Sequence, residues 1–495
     1  QTELGTITFI PAYRESEQDY QFSGPGFAPA KTQEDNEQTS FELRFATALD
    51  GPLNGILGAY YFDEEISTST VFAQNYASPI QNYDNGADSW AIFGQGTFEL
   101  TDTFRLNAGI RYTEDSKDVK GISDTFVTFC GGAPFTGNFL TPPASFGNGC
   151  ASGAMPAHPI TSDRDEFIQY FVDNGLIAPD SEADIPGMGP PPFYDLTIPG
   201  GISPVLGSIV NVGEGALESE LDYDETTYRL GVEWDWSEDS LLYATFENGY
   251  RAGGVDLSIV SPTYDPEYID AYTIGSKNRF FDNTLQLNAE LFYWEYEGQQ
   301  VTYFTTLNEA SAFPIANADA TIQGLDLDMI WAATDNTTFG LSMQFLDASY
   351  DKLTLVSDPG RGRFGCTSLG VSDGIETYSC GGNDMLYSPE FGADLNINHV
   401  INIGDYDLSL TAVASHRSEQ QTNFLFLDET ESDSYTTLNF DATLFANDGG
   451  WSISAYIRNA TDEQVLANTN VSNRGLNYAI YSPPQTYGLR LMANF

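Results

Sequence analysis

The feature that most constrains this chain is how its alternating segments are spaced. About sixteen stretches of roughly ten residues carry apolar side chains at every second position, the signature of half-buried or lipid-facing strands. In 284–297, Leu285, Leu287, Ala289, Leu291 and Tyr293 fall on one side, and Gln286, Asn288 and Glu290 on the other. Residues 104–117 set Phe104, Leu106, Ala108, Ile110 and Tyr112 against Arg105, Asn107, Gly109 and Arg111. Residues 435–445 set Leu438, Phe440, Ala442 and Leu444 against Asn439, Asp441 and Thr443. The same period of two runs through 2–14, 38–48, 54–65, 88–100, 221–236, 240–250, 267–281, 317–332, 337–350, 389–401, 406–416, 451–460 and 485–495.

The links alternate between short and long. Asp50-Gly51-Pro52, Thr101-Asp102-Thr103, Ser237-Glu238-Asp239, Asp282-Asn283, Asp335-Asn336, Gly404-Asp405 and Asn447-Asp448-Gly449-Gly450 are turn chemistry. The long links are 15–37, 66–87, 118–220, 251–266, 298–316, 351–388, 417–434 and 461–484. A soluble sandwich shares the alternation but has no reason to keep this asymmetry along the whole chain. A transmembrane barrel does, with turns on the periplasmic side and loops outside the cell. In hydrocarbon every backbone N–H and C=O must be paired, and a closed sheet has no edge. No apolar run reaches the length of a helical span. The expected fold is therefore an all-β, transmembrane antiparallel β-barrel forming one domain over 1–495. There are 71 acidic against 19 basic residues, a net charge of -52, which makes nucleic acid and anionic surfaces poor partners.

Several segments resemble the barrel of the TonB-dependent outer-membrane receptor family. In Pro266–Val301, Pro266-Glu267 precedes a strand and Gly275-Ser276-Lys277 leads to a Phe281-Asp282 turn. Ser89–Asp115 is similar to a mid-barrel hairpin, and Asn317–Trp331, with Gly324 before alternating residues, to a further strand. The end of the chain is similar too: Asn459-Ala460-Thr461-Asp462 follows the penultimate strand. A terminal aromatic, Phe495, resembles the signal read by barrel-assembly machinery, and it puts that end at the periplasmic rim and loop 461–484 outside.

The resemblance implies location in the outer membrane of a Gram-negative bacterium, in contact with its lipid. It implies transport without enzymatic activity or cofactor. A small nutrient, with a ferric siderophore favoured, would be bound by the extracellular loops and imported with energy from a TonB-type inner-membrane protein acting on a plug domain. Family barrels have about 22 strands around a plugged lumen. With about sixteen here, and with residues 1–14 already reading as a strand, the plug and about six N-terminal strands are expected to be missing. Two alternatives stand beside this reading: a receptor for an oligosaccharide or other small nutrient, and a passive sixteen-stranded porin.

Candidate ligand contacts in the loops are the aromatics Tyr20, Phe22, Tyr303, Phe304, Phe424, Phe426 and Tyr478, with Arg361, Arg363, Arg417 and Arg474 among them. Candidate lumen groups that would meet the plug are Arg105, Arg111, Arg229, Arg251, Glu290, Arg458 and Arg490. Cys130 and Cys150 share one loop, and Cys366 and Cys380 another. Two local disulfides are the cheapest of the three connectivities and suit an oxidising compartment. Neither pair has C-x-x-C spacing, so no metal site is expected there.

Loop 118–220 holds thirteen acidic and two basic residues, a composition suited to solvation or to bridging by Ca²⁺. Within it, Ser162 or Asp163 can cap a short helix that places Phe167, Ile168 and Phe171 on one face and ends at Asn174-Gly175. That loop reads equally well as a lid over the ligand mouth. Gly370-Val371-Ser372-Asp373-Gly374 spells a hydrolase motif, but in a loop between two cysteines rather than at a strand-to-helix elbow.

Overall fold

In the computed structural model, residues 4–24, 27–73, 77–129, 158–173, 194–196, 208–255, 263–307, 310–471 and 477–494 are described. Sixteen long strands form one antiparallel sheet in chain order. They are β1 Gly5–Gly24, β2 Phe27–Thr47, β3 Leu53–Phe72, β4 Ala77–Thr101, β5 Phe104–Phe129, β6 Ser208–Ser237, β7 Ser240–Arg251 and β8 Glu267–Phe280. Then follow β9 Leu285–Thr302, β10 Ile315–Thr334, β11 Thr337–Lys352, β12 Phe391–Ile403, β13 Tyr406–Arg417, β14 Tyr435–Ala446, β15 Trp451–Arg458 and β16 Thr486–Ala493. Each strand pairs with its chain neighbours, and among the described residues no pairing joins β1 to β16.

Residues directly opposite in an antiparallel ladder share a face. The register can therefore be followed from strand to strand. Leu291 of β9 lies opposite Ile274 and Leu325, and Leu325 opposite Phe345. Leu444 lies between Leu408 and Ile453, and Ile453 opposite Leu491. This apolar face is the outer, lipid-facing one. Rings mark its two margins. Phe41 stacks on Tyr61 at 6.4 Å, Trp90 meets Tyr112 at 5.5 Å, and Tyr228, Phe246, Tyr272 and Tyr293 follow one another at 5.7, 4.7 and 6.3 Å. At the turn end stand Trp331 on Phe339 and Tyr406 beside Trp451, each pair 5.5 Å apart. Amphipathic rings settle at the two membrane interfaces. Tyr272 and Phe280 of β8 are separated by roughly 26 Å of strand, which at a barrel tilt of about 40° covers about 20 Å of height, most of an outer-membrane hydrocarbon band.

Above the upper ring the strands run on, and here the structure corrects the sequence reading. The described residues of 15–37 and 66–87 are largely strand rather than loop: β1 and β2 stay paired up to Gly24↔Phe27, and β3 and β4 up to Val71↔Ile80. β5 and β6 likewise take over both flanks of 118–220. These extensions stand in water, so both faces are polar and the apolar alternation that marks a strand in lipid is lost. Their outer face is strongly acidic. One continuous row reads Glu15, Glu37, Glu65, Gly86, Asp118, Glu220, and a second reads Tyr13, Thr39, Asp63, Asp88, Ser116, Asp222.

Candidate functional site

The inner face carries the polar half of the alternation, and four of its candidate arginines are paired with carboxylates within the wall. Arg105 donates to Glu233 at 2.9 Å and forks onto Asp235. Arg229 lies 3.5 Å from Glu247, and Arg251 3.8 Å from Glu267. Arg458 forks onto Asp441 at 2.6 and 2.8 Å. Arg111 rests against the Tyr60 and Phe93 rings, 5.8 and 5.6 Å from their centroids. Tyr243 reaches across Gly275 of the intervening β8 and donates its hydroxyl to Glu290. A Cβ on Gly275 would sit 2.2 Å from the Tyr243 ring, so glycine is what opens this path. Arg490 occupies the same face on the edge strand β16, opposite Ser454. All seven lumen candidates thus share the inner face.

At the extracellular end the loops fold inward and lock together. Tyr303, Leu353, Leu355, Phe364, Tyr378, Met385, Leu425 and Phe426 form a buried core that packs on Ala320, Ala348 and Tyr350 of the inner face. Short strand pairs stiffen each loop: 305–307 with 310–312, 354–357 and 367–372 with 375–379, and 466–471 with 477–481. Cys366 and Cys380 form a disulfide, and the Gly365 N–H donates to the Leu425 carbonyl at 2.6 Å. Tyr303 accepts at its hydroxyl from the Val356 N–H at 2.9 Å. Burial, and then the Glu376 carboxylate, push the Tyr378 hydroxyl up to about 12. Glu376 itself is held below the usual carboxylate range by donors from the Gly360 N–H and the Ser368 hydroxyl.

The ligand candidates therefore separate. Tyr303 and Phe426 are 4% and 8% exposed and belong to the core of this cap. Phe424 packs on Tyr350, and Phe304 on Phe313. Tyr20 and Phe22 stack on each other in the ladder of β1, far along the chain from the cap loops. Arg361 is half-buried at a tight turn and Arg363 exposed. Tyr478 pairs with Asn470. Arg474, Phe495, Cys130 and Cys150 lie outside the described residues.

Arg417 and Arg458 do come together. They line one inner-face pocket of about 370 Å³ with Ser415, Tyr435, Thr437, Asn439 and the Ser482-Pro483-Pro484 turn. Each guanidinium has an in-wall carboxylate, Asp394 at 2.8 Å and Asp441 at 2.6 Å, so the pocket is polar without a net positive charge. Sequence reading placed these two arginines in different classes; the register, with β13, β14 and β15 adjacent, is what unites them.

On the outer flank, the expected helix is present over Arg164–Asp173. Asp163 caps it by accepting from the Glu166 N–H at 2.9 Å. Phe167 is fully buried and meets the His158 ring edge-on at 5.7 Å. Side chains of Ile168 and Phe171 were expected beside it; Ile168 is half-buried, and Phe171's side chain is not described. His158, buried, bonds Ser78 at 2.7 Å, and the Asn82 amide donates to the Ser162 carbonyl. This segment therefore docks against the wall above the membrane. The Gly370–Gly374 motif forms the tip of an exposed hairpin, with no histidine beside Ser372. Among the described residues no cluster of three or more His, Cys, Asp or Glu is placed to hold a metal ion.

Residues 2–460 match the family described as TonB dependent receptor-like, beta-barrel. The fold is similar to that of the ferric yersiniabactin uptake receptor FyuA from Yersinia pestis, at 14% identity and a TM-score of 0.67, covering 100% of this chain and 60% of that one. It is similar also to the siderophore receptor PiuA from Acinetobacter baumannii, at 15% identity and 0.63, covering 99% and 62%. A third is the copper transporter OprC, at 12% identity and 0.61, covering 99% and 64%. The chain spans about three fifths of the length of these proteins. Its matches are receptors and transporters rather than enzymes, proteins of the Gram-negative outer membrane. The match over nearly the whole sequence, together with the lipid-facing register, makes this chain a member of the TonB-dependent receptor family, of which it represents the β-barrel.

Proposed function

We propose that this barrel takes up a scarce nutrient from outside the cell, a ferric siderophore in the first instance, with energy from a TonB-type partner. The observation that carries the reading is the interlocked cap of loops over the inner face, with the Arg417–Arg458 pocket beside it. An extracellular gate and a polar inner pocket are what a receptor needs and a passive pore does not. The names of FyuA and PiuA support the siderophore class. The outer membrane holds no ATP, so uptake against a gradient requires a partner that pulls from the inner membrane through a plug.

A second reading is favoured by charge. A carboxylate-rich rim attracts cationic ligands, admits neutral ones without hindrance and repels anionic ones. A metal cation or a neutral oligosaccharide therefore stands beside the siderophore, and OprC is a copper transporter of similar fold.

The test is growth of a strain dependent on the full-length receptor. Under iron limitation, a panel of ferric siderophores should support growth, and R417Q with R458Q should weaken binding about tenfold, the loss of one or two charge-assisted hydrogen bonds. Growth support by none of them, with uptake of copper or a glycan instead, would transfer the reading to the second class. Uptake that persists without the energy-coupling partner would overturn active transport.

A further inference from the structure

The outer face is not uniformly ridged. Across β12 to β15 two neighbouring rows run Ile397, Ala412, Phe440, Ile457 and His399, Leu410, Ala442, Ala455. The three alanines fall together, and the larger neighbours leave a groove of about 530 Å³ walled by Ile397, Leu410, Phe440 and Ile457, with Thr411, Asp441 and Tyr456, whose register turns them to the inner face, contributing to its lining. At its lower end stands His399, level with Thr337, the first residue of β11 after the periplasmic turn. The Thr337 hydroxyl lies 2.9 Å from His399 Nδ1. When that hydroxyl donates, the ring proton resides on Nε2; the His399 side chain is exposed, and its one side-chain hydrogen bond among the described residues is the one at Nδ1.

We infer that this groove seats one acyl chain of an inner-leaflet phospholipid, with the headgroup phosphate accepting a hydrogen bond from His399 Nε2–H. The inference rests on the outer-membrane location and is independent of the transported ligand. Three features select this occupant. The groove lies within the hydrocarbon band, where only an apolar group can cover it. Its polar end is single and interfacial, which matches a lipid with one headgroup and not the face of a second copy. Charge does not oppose a phosphate there: in a chain of net charge -52, the register leaves no carboxylate on the outer face of β12 to β15, and Asp441, which reaches the groove lining, is directed inward and paired with Arg458. In lipid, association depends on packing rather than on hydrophobic transfer, so a slot the width of one chain is what can distinguish a held lipid from the surrounding ones.

The experiment is native mass spectrometry of the full-length receptor, delipidated in mild detergent and titrated with phosphatidylglycerol or, separately, with diacylglycerol of the same chains. One phosphatidylglycerol should be retained per receptor. A442F, which fills the groove, should lower its retention about tenfold, whereas L291F, on the outer face of β9, should not change it. H399L should lower phosphatidylglycerol retention and leave diacylglycerol unaffected. Equal retention in the parent and A442F would overturn the proposal, as would a lipid-free dimer, which would assign the groove to a second copy. H399L behaving like the parent would reject the phosphate contact. Heat-modifiable migration of each variant on gels establishes that it has folded.

Discussion

His158 and Ser78 are bonded Nδ1 to Oγ at 2.7 Å although 80 residues separate them, and the contact fastens an extracellular segment to the wall strand β4. Burial holds the His158 imidazole down at about 4, below its ordinary 6.5. Among the described residues the segment's own Arg164 faces Asp124 of the wall, 3.2 Å away. The undocked segment therefore binds a proton that the docked one refuses. Docking is complete above about pH 6.5 and is lost as the pH falls toward 4, by up to about 3 kcal/mol. Hydrogen exchange of residues 158–173 should accelerate on acidification, and H158F should abolish that dependence. Exchange that is flat between pH 7 and 4.5 in the parent would refute it.

The two faces predict opposite tolerance for charge. Leu291→Arg places a guanidinium in the hydrocarbon and should cost about 2–4 kcal/mol. Asn288→Arg, three residues away on the inner face beside Asp328, should cost little. Unfolding by urea in vesicles separates the two, and similar costs at both sites would mean the faces had been assigned wrongly.

Tyr243 and Glu290 meet only because Gly275 lies between them. Gly275→Val should displace the ring and strip Glu290 of its donor, with a loss of about 1–3 kcal/mol. Tyr243→Phe in the Gly275→Val background should add almost nothing, and a double-mutant cycle with additive costs would show that the three residues are not coupled.

The cap predicts a local effect of reduction. Opening Cys366–Cys380, which encloses a segment with sequence separation 14, should release about 3 kcal/mol of restraint on the unlocked loop. Exchange protection should fall in 353–388 and in 418–434, which shares its core, while β4 to β6 remain unchanged. Non-reducing peptide mapping should also recover the expected Cys130–Cys150 pair. A cross-loop product such as Cys130–Cys366 would contradict the local connectivity.

Legibility followed the solvent. Where strands cross lipid, one face must be apolar, so Leu285, Leu287 and Leu291 announce the strand and its orientation. Above the ring of Tyr228 and Tyr272 both faces meet water, the period disappears, and Glu15 to Glu37 reads as loop although it is ladder. The helix at 164–173 was legible because its cap, Asp163 with Glu166, is a local signal. The cap aromatics were not separable: exposed and buried Phe look alike in sequence, and Tyr303 and Phe426 are buried only because loops distant in sequence close over them. Joining Arg417 to Arg458 needed strand adjacency, which no local signal carries.

The acidic row from Glu15 to Glu220 has a consequence for the setting in which such a receptor works. Its field extends about 10 Å at 0.1 M salt and about 3 Å at 1 M. In fresh water an anionic ligand approaching the mouth is turned back well before contact and a cationic one is gathered in. In brine both arrive at nearly the same rate. The ionic strength of the medium, rather than any side chain, then determines how strongly the entrance discriminates by sign of charge.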